Sequence, residues 1–105
     1  MAKWYEYWVT IDGDDFDFEC EEWCGCNKRI EDICFDTYDE ARSFVLGITK
    51  EQAVSYEKKA GTNSLDITVY KETVIDGHYD DVCAVGFADW IEDRFNHSDF
   101  WIEED

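Results

Sequence analysis

Polar and apolar character alternates from Lys3 to Ile11, with Tyr5, Tyr7, Val9 and Ile11 on one side of the chain and Trp4, Glu6, Trp8 and Thr10 on the other. A period of two in a run this rich in aromatic and β-branched residues predicts a strand covered at least partly on both faces. Asp12-Gly13 follows, a pair that tolerates positive φ, and a tight hairpin turn is expected there. From Phe16 the alternation is clean: Phe16, Phe18 and Cys20 against Asp17, Glu19 and Glu21. That pattern predicts a half-buried strand with a carboxylate face. A third strand, Arg29 to Phe35, is expected after a turn around Cys24-Gly25-Cys26-Asn27.

The period then changes. Thr37 and Glu40 have capping-box spacing, in which hydroxyl and carboxylate satisfy free backbone donors at a helix start, and Tyr38, Ala41, Phe44, Val45 and Ile48 form an apolar stripe behind them. Thr49 and Gln52 repeat the box, and Gly61 supplies a stop, so a second helix is expected through about Ala60. Val54, Tyr56 and Lys58 alternate, which leaves a strand as the other reading of that segment. Leu65, Ile67 and Val69 mark a strand from Leu65 to Ile75, and Asp76-Gly77 signals a hairpin into a strand from about His78 to Ala84. A last helix is expected from about Phe87 to Asn96, burying Phe87, Trp90, Ile91 and Phe95 and presenting Asp89, Glu92 and Asp93 to solvent. In the tail, Ser98 to Asp105, Phe100 and Trp101 are expected to dock onto the body among Asp99, Glu103, Glu104 and Asp105. The expected class is α+β: an antiparallel sheet built from hairpins, with two or three helices packed on one face, in a single domain of residues 1–105.

Composition bears out a folded core. Of the 105 residues 45% are apolar and 17% aromatic, far more than a disordered acidic chain carries. No signal-peptide pattern opens the chain and no apolar run approaches a membrane span, so a cytoplasmic protein is expected. Five cysteines, an odd number, suit a reducing compartment. Cys20, Cys24, Cys26 and Cys34 fall close enough in sequence to suggest a structural zinc site, but no pair has the two-residue spacing of a zinc knuckle, and buried or idle thiols are the favoured reading. Cys20 is expected on an apolar strand face and Cys83 in a strand core. Asp12, Asp14, Asp15 and Asp17 crowd one turn, yet an EF-hand loop begun at Asp12 would have Asp17 where Gly is needed and Trp23 where Glu is needed. His78 and His97 are the two imidazoles, and no phosphate loop, nucleophile elbow or His pair accompanies them. Neither catalysis nor a cofactor is expected.

Charge changes the picture most. Twenty-seven acids against nine bases give a formal charge of -18, which excludes direct binding to nucleic acid or to an anionic membrane. By segment the charge is -10 over residues 1–40, +1 over 41–75 and -9 over 76–105. A net charge far above the ~2–8 that solubility calls for destabilises the fold by self-repulsion. The physical candidate is imitation of a polyanion, with Asp12, Asp14, Asp15, Asp17, Glu19, Glu21 and Glu22 from the first part of the chain joined by Asp89, Glu92, Asp93, Asp99, Glu103 and Glu104 from the last. Trp23, Tyr79 and Trp101 are candidate aromatic anchors beside them.

In size, acidity, aromatic content and compact α+β pattern the chain resembles the small phage-encoded inhibitors of bacterial defence, the anti-CRISPR and anti-restriction proteins. That resemblance implies a basic nucleic-acid-binding protein or nuclease complex as partner in the cytoplasm of a bacterial host, with no cofactor and no catalysis. The expected function is therefore occupation of a basic nucleic-acid groove by a DNA-mimicking acidic surface. Two other readings stand beside it: an immunity protein or antitoxin that neutralises a basic nuclease toxin, and a small structural zinc-binding domain.

Overall fold

A computed structural model describes residues 2–97; Asp99, Glu103, Glu104, Phe100 and Trp101 of the expected tail lie outside that range. The alternating pattern at the start extends further than expected. Strand β1 runs Lys3–Asp14 straight through Asp12-Gly13, and that pair makes no turn. Gly13 instead meets the end of a helix. A Cβ there would collide with Ala60 Cβ and Thr62 Oγ1, so glycine serves close approach of the elements. Beyond β1, the expected half-buried strand reduces to the two residues of β2 (Phe16–Asp17), paired with β3 (Glu22–Trp23). Phe18 to Glu21 form the turn between them, and Cys20, expected on an apolar strand face, is exposed in it. The row Asp17, Glu19, Glu21 therefore does not exist as one strand face.

The next elements follow their caps. Strand β4 spans Lys28–Phe35. Helix α1 spans Tyr38–Leu46, and its Thr37 hydroxyl accepts from the Glu40 backbone N–H at 3.2 Å. Helix α2 spans Lys50–Ala60 with both bonds of the Thr49/Gln52 box formed, ending on Gly61 in the left-handed region at φ 72°. The helical reading of residues 50–60 is the one observed. Strand β5 (Ser64–Ile75) turns at Asp76-Gly77, both at positive φ, into β6 (His78–Ile91).

The expected third helix is absent from the described chain. Phe87 to Ile91 continue β6, Glu92-Asp93 make a two-residue turn at φ 30° and 65°, and Arg94–His97 return as β7. Phe87, Trp90, Ile91 and Phe95 have helical spacing by coincidence. What decides the conformation is pairing to β5, which buries Ala88 and Trp90, two residues apart, on one face. Cys83, placed in a strand core by its sequence, is exposed on β6.

The five-stranded antiparallel sheet has the order β4-β1-β5-β6-β7. Both helices pack on its central and β4 side, against β1, β4 and β5, and on one face only. Tyr7, Val9 and Ile11 of β1, Leu65, Ile67 and Val69 of β5, and Ala88 and Trp90 of β6 meet Ala41, Val45 and Ala53 of the helices in the core. Tyr7 touches Tyr38 edge-on, and Phe35 packs on Phe44. No helix among the described residues is long and apolar enough to cross a membrane. Among the described residues, the opposite face of the sheet carries no helix.

Candidate partner-binding face

The residues of β1 that alternate with the core residues point to the face away from the helices: Trp4, Glu6, Trp8, Thr10, Asp12 and Asp14. Register carries the same parity outward. Opposite them on β5 lie Val74, Glu72, Tyr70, Thr68, Asp66 and Ser64, and on β4 Cys34, Asp32 and Arg29. On β6, Phe87 stands opposite Thr68 and Asp89 opposite Asp66; on β7, Asn96 stands opposite Asp89 and Arg94 opposite Ile91.

One cross-strand row stands out for its chemistry. Asp12, Asp66 and Asp89 face one another directly on the adjacent strands β1, β5 and β6. Neighbouring strands lie ~4.8 Å apart, and like charges directly opposite one another destabilise a sheet. A second row puts Glu6 opposite Glu72. The acidity of these groups responds accordingly. Burial, then the charges of Asp12, Asp89 and Asp14, push the Asp66 carboxyl above the usual range. Burial, then Glu6 and Asp32, do the same to Glu72. Burial also raises Asp89, tempered by Arg94 and His97.

Most cations lie off this face. Arg42 sits on α1, and Lys50, Lys58 and Lys59 sit on α2. Lys28 reaches the Ala60 carbonyl at the end of α2, and Lys3 and Lys71 lie over the Tyr5 ring on the side of the sheet facing away from Glu6. Two arginines belong to the open face. Arg29 donates from Nε to Asp12 at 2.6 Å and approaches Asp32 with Nη1 at 3.6 Å. Arg94 lines a hollow of about 560 Å³ with Asp89, Glu21 and the Phe16 and Phe18 rings.

The acids around the β2–β3 hairpin divide by role. Asp14 is only 3% exposed, and its Oδ1 accepts from the backbone N–H groups of Asp15 at 2.7 Å and Cys26 at 3.0 Å. Asp15 Oδ1 accepts from the Asn63 N–H at 3.2 Å. Asp17 Oδ1 accepts from the N–H groups of Glu19 and Cys20, and those bonds, Cys20 first, hold its carboxyl below the ordinary range. These three carboxylates build the loop. Glu19, Glu21 and Glu22 are exposed at its tip. Asn63 clamps the hairpin to the body, accepting from the Phe16 N–H at 2.7 Å and donating to the Phe16 carbonyl at 3.0 Å.

Of the residues expected to bind a partner, the fold brings Asp12, Asp14 and Asp89 together on the open face, with Glu21 beside Asp89. Glu92 and Asp93 do not join a helical patch with Asp89: they occupy the β6–β7 turn, where Asp93 pairs with Lys50 of α2. Trp23, 38% exposed, packs on Phe16, and Tyr79 is 64% exposed on the open face. Glu6, Asp32, Asp66 and Glu72 were missed, because only strand pairing brings them together. Cys20, Cys24, Cys26 and Cys34 are free and exposed, and no group of three or more His, Cys, Asp or Glu side chains among the described residues is arranged to hold a metal. Burial and nearby aspartates raise the Cys24 thiol, which keeps it a poor nucleophile. No family model, no curated protein and no solved structure matches this chain.

Proposed function

We propose that this protein is a non-catalytic inhibitor that lays the open, acidic face of its sheet into the basic groove of a nucleic-acid-binding defence protein of the anti-CRISPR or anti-restriction target type. The observation that carries the reading is the Asp12, Asp66 and Asp89 row, in register on three adjacent strands of the sheet face that carries no helix among the described residues. A sheet gains nothing in stability from such a row. A cationic groove gains Asp66 and Asp89 at a fixed separation of ~4.8 Å, beside an Asp12 that Arg29 already pairs, a spacing comparable with one strand of a duplex backbone at ~3.4 Å per charge.

The test is phage plating on bacteria that carry an active CRISPR–Cas or restriction system and express this protein. Expression should restore plating, and the purified protein should displace DNA from the defence complex. Asp66→Asn combined with Asp89→Asn should lose at least ~10-fold in inhibitory potency while remaining folded, in line with the energy of losing close charge pairs at an interface. Wild-type protein that never competes with DNA for such complexes overturns the proposal, as does a double variant of undiminished potency.

A further inference from the structure

The helix-free face holds a hollow of about 440 Å³ whose walls include Trp8, Tyr70, Tyr79, Glu72, Asp32 and Arg29, and Glu6 adjoins it through its bonds to Trp8 and Tyr79. We propose that this hollow receives an arginine side chain of the partner, with the guanidinium set between Glu6 and Glu72 and laid against the Trp8 and Tyr79 rings. The inference rests on the open face being the partner surface and names what that surface recognises.

Three features converge on a guanidinium. The first is the chain's own example at the rim. Arg29, one wall of the hollow, already bridges Asp12 and Asp32, and no cation among the described residues pairs with Glu72 on the β5 side. The second is the state of the two glutamates. Glu6 is oriented by aromatic donors, accepting from Trp8 Nε1 at 3.3 Å and Tyr79 OH at 3.2 Å on Oε1 and from Trp4 Nε1 at 3.2 Å on Oε2. Glu72 stands directly across from it, partly buried, its side chain making no hydrogen bond or ion pair with the described residues. An oriented carboxylate beside an unpaired one makes a two-sided acceptor for a fork of N–H donors. The third feature is the planar rings. Arginine stacks on aromatic faces and matches carboxylates two bonds at a time, whereas lysine is a hydrated point charge that does neither as well.

The experiment uses the full chain and two probes of equal charge, nona-arginine and nona-lysine peptides, with affinities measured by calorimetry at fixed salt. Nona-arginine should bind about fivefold or more tightly than nona-lysine, the margin that stacking on an aromatic face supplies. Glu72→Gln should weaken nona-arginine about fivefold, and Tyr79→Ala, at an exposed position, should shrink the arginine preference. Glu51→Gln on α2 should change neither. Thermal melts confirm that each variant is folded. Equal affinity for the two peptides, or an unchanged affinity in folded Glu72→Gln, overturns the inference. An arginine preference without inhibition of any defence complex leaves this site standing and removes the proposed function, and inhibition without an arginine preference does the reverse.

Discussion

Gly13 sets the distance between β1 and the end of α2, since any side chain there would overlap Ala60 and Thr62. Gly13→Ala should cost about 1–3 kcal/mol, the range for forcing an extra carbon into a packed contact, and a denaturant titration reads it directly. At Asp66 the opposite sign is expected. Its neighbours Asp12 and Asp89 repel it in the folded state, so Asp66→Asn should stabilise the protein at pH 7 by about 0.5 kcal/mol. The pH dependence follows the same logic. Asp66, Glu72 and Asp89 all have raised folded-state values, so the folded state holds more protons than the unfolded chain as pH falls from neutral toward the ordinary carboxylate range. Their contribution to stability is therefore present at acid pH and lost as pH rises through those raised values. Asp17, with a lowered value, contributes in the other direction, and its share is lost as pH falls through that value. Melting temperature should rise as pH is lowered from neutral toward the ordinary carboxylate range, less the opposing share of His97, whose value burial lowers, and the advantage of Asp66→Asn should shrink over the same interval. A melting temperature flat across that range would show that the acid row is not strained.

Elements differed in how much of themselves was legible beforehand. Both helices could be read, because Thr37 with Glu40 and Thr49 with Gln52 are local signals that act within one turn. The β5–β6 hairpin was legible for the same reason, since Asp76-Gly77 carries its own turn chemistry. Asp12-Gly13 has the same two residues and makes no turn, because β1 is held on both sides, by β4 and β5, and Gly13 is needed under α2. The end of β6 misled for a related reason. Glu92-Asp93 lacks the glycine or asparagine that usually announces a two-residue turn, and without that signal Trp90 and Phe95 read as one helix face. The acid row was illegible in principle, since Asp12, Asp66 and Asp89 lie far apart in the chain and only pairing register aligns them. The short β2–β3 hairpin is tied to β5 by the Asn63 side chain. Asn63→Ala removes its two bonds to Phe16 and should cost about 1–2 kcal/mol, with new protease cleavage between Phe18 and Glu22 as the local readout.

Across the whole molecule the arrangement of charge matters more than its total. Asp12, Asp32, Asp66, Glu72 and Asp89 lie on one side of the sheet, and the lysines of α2 lie on the other. An unequal split of this kind gives the protein a permanent dipole moment along the sheet normal, superimposed on its negative charge. Near a positively charged body such a molecule experiences a torque as well as a pull. It turns before it touches, so most collisions present the uncovered strands first and few are wasted on the helices. Reversing lysines on α2 to glutamate would make the protein still more acidic, yet it would flatten that dipole, and the capture rate should gain less than the added charge alone implies.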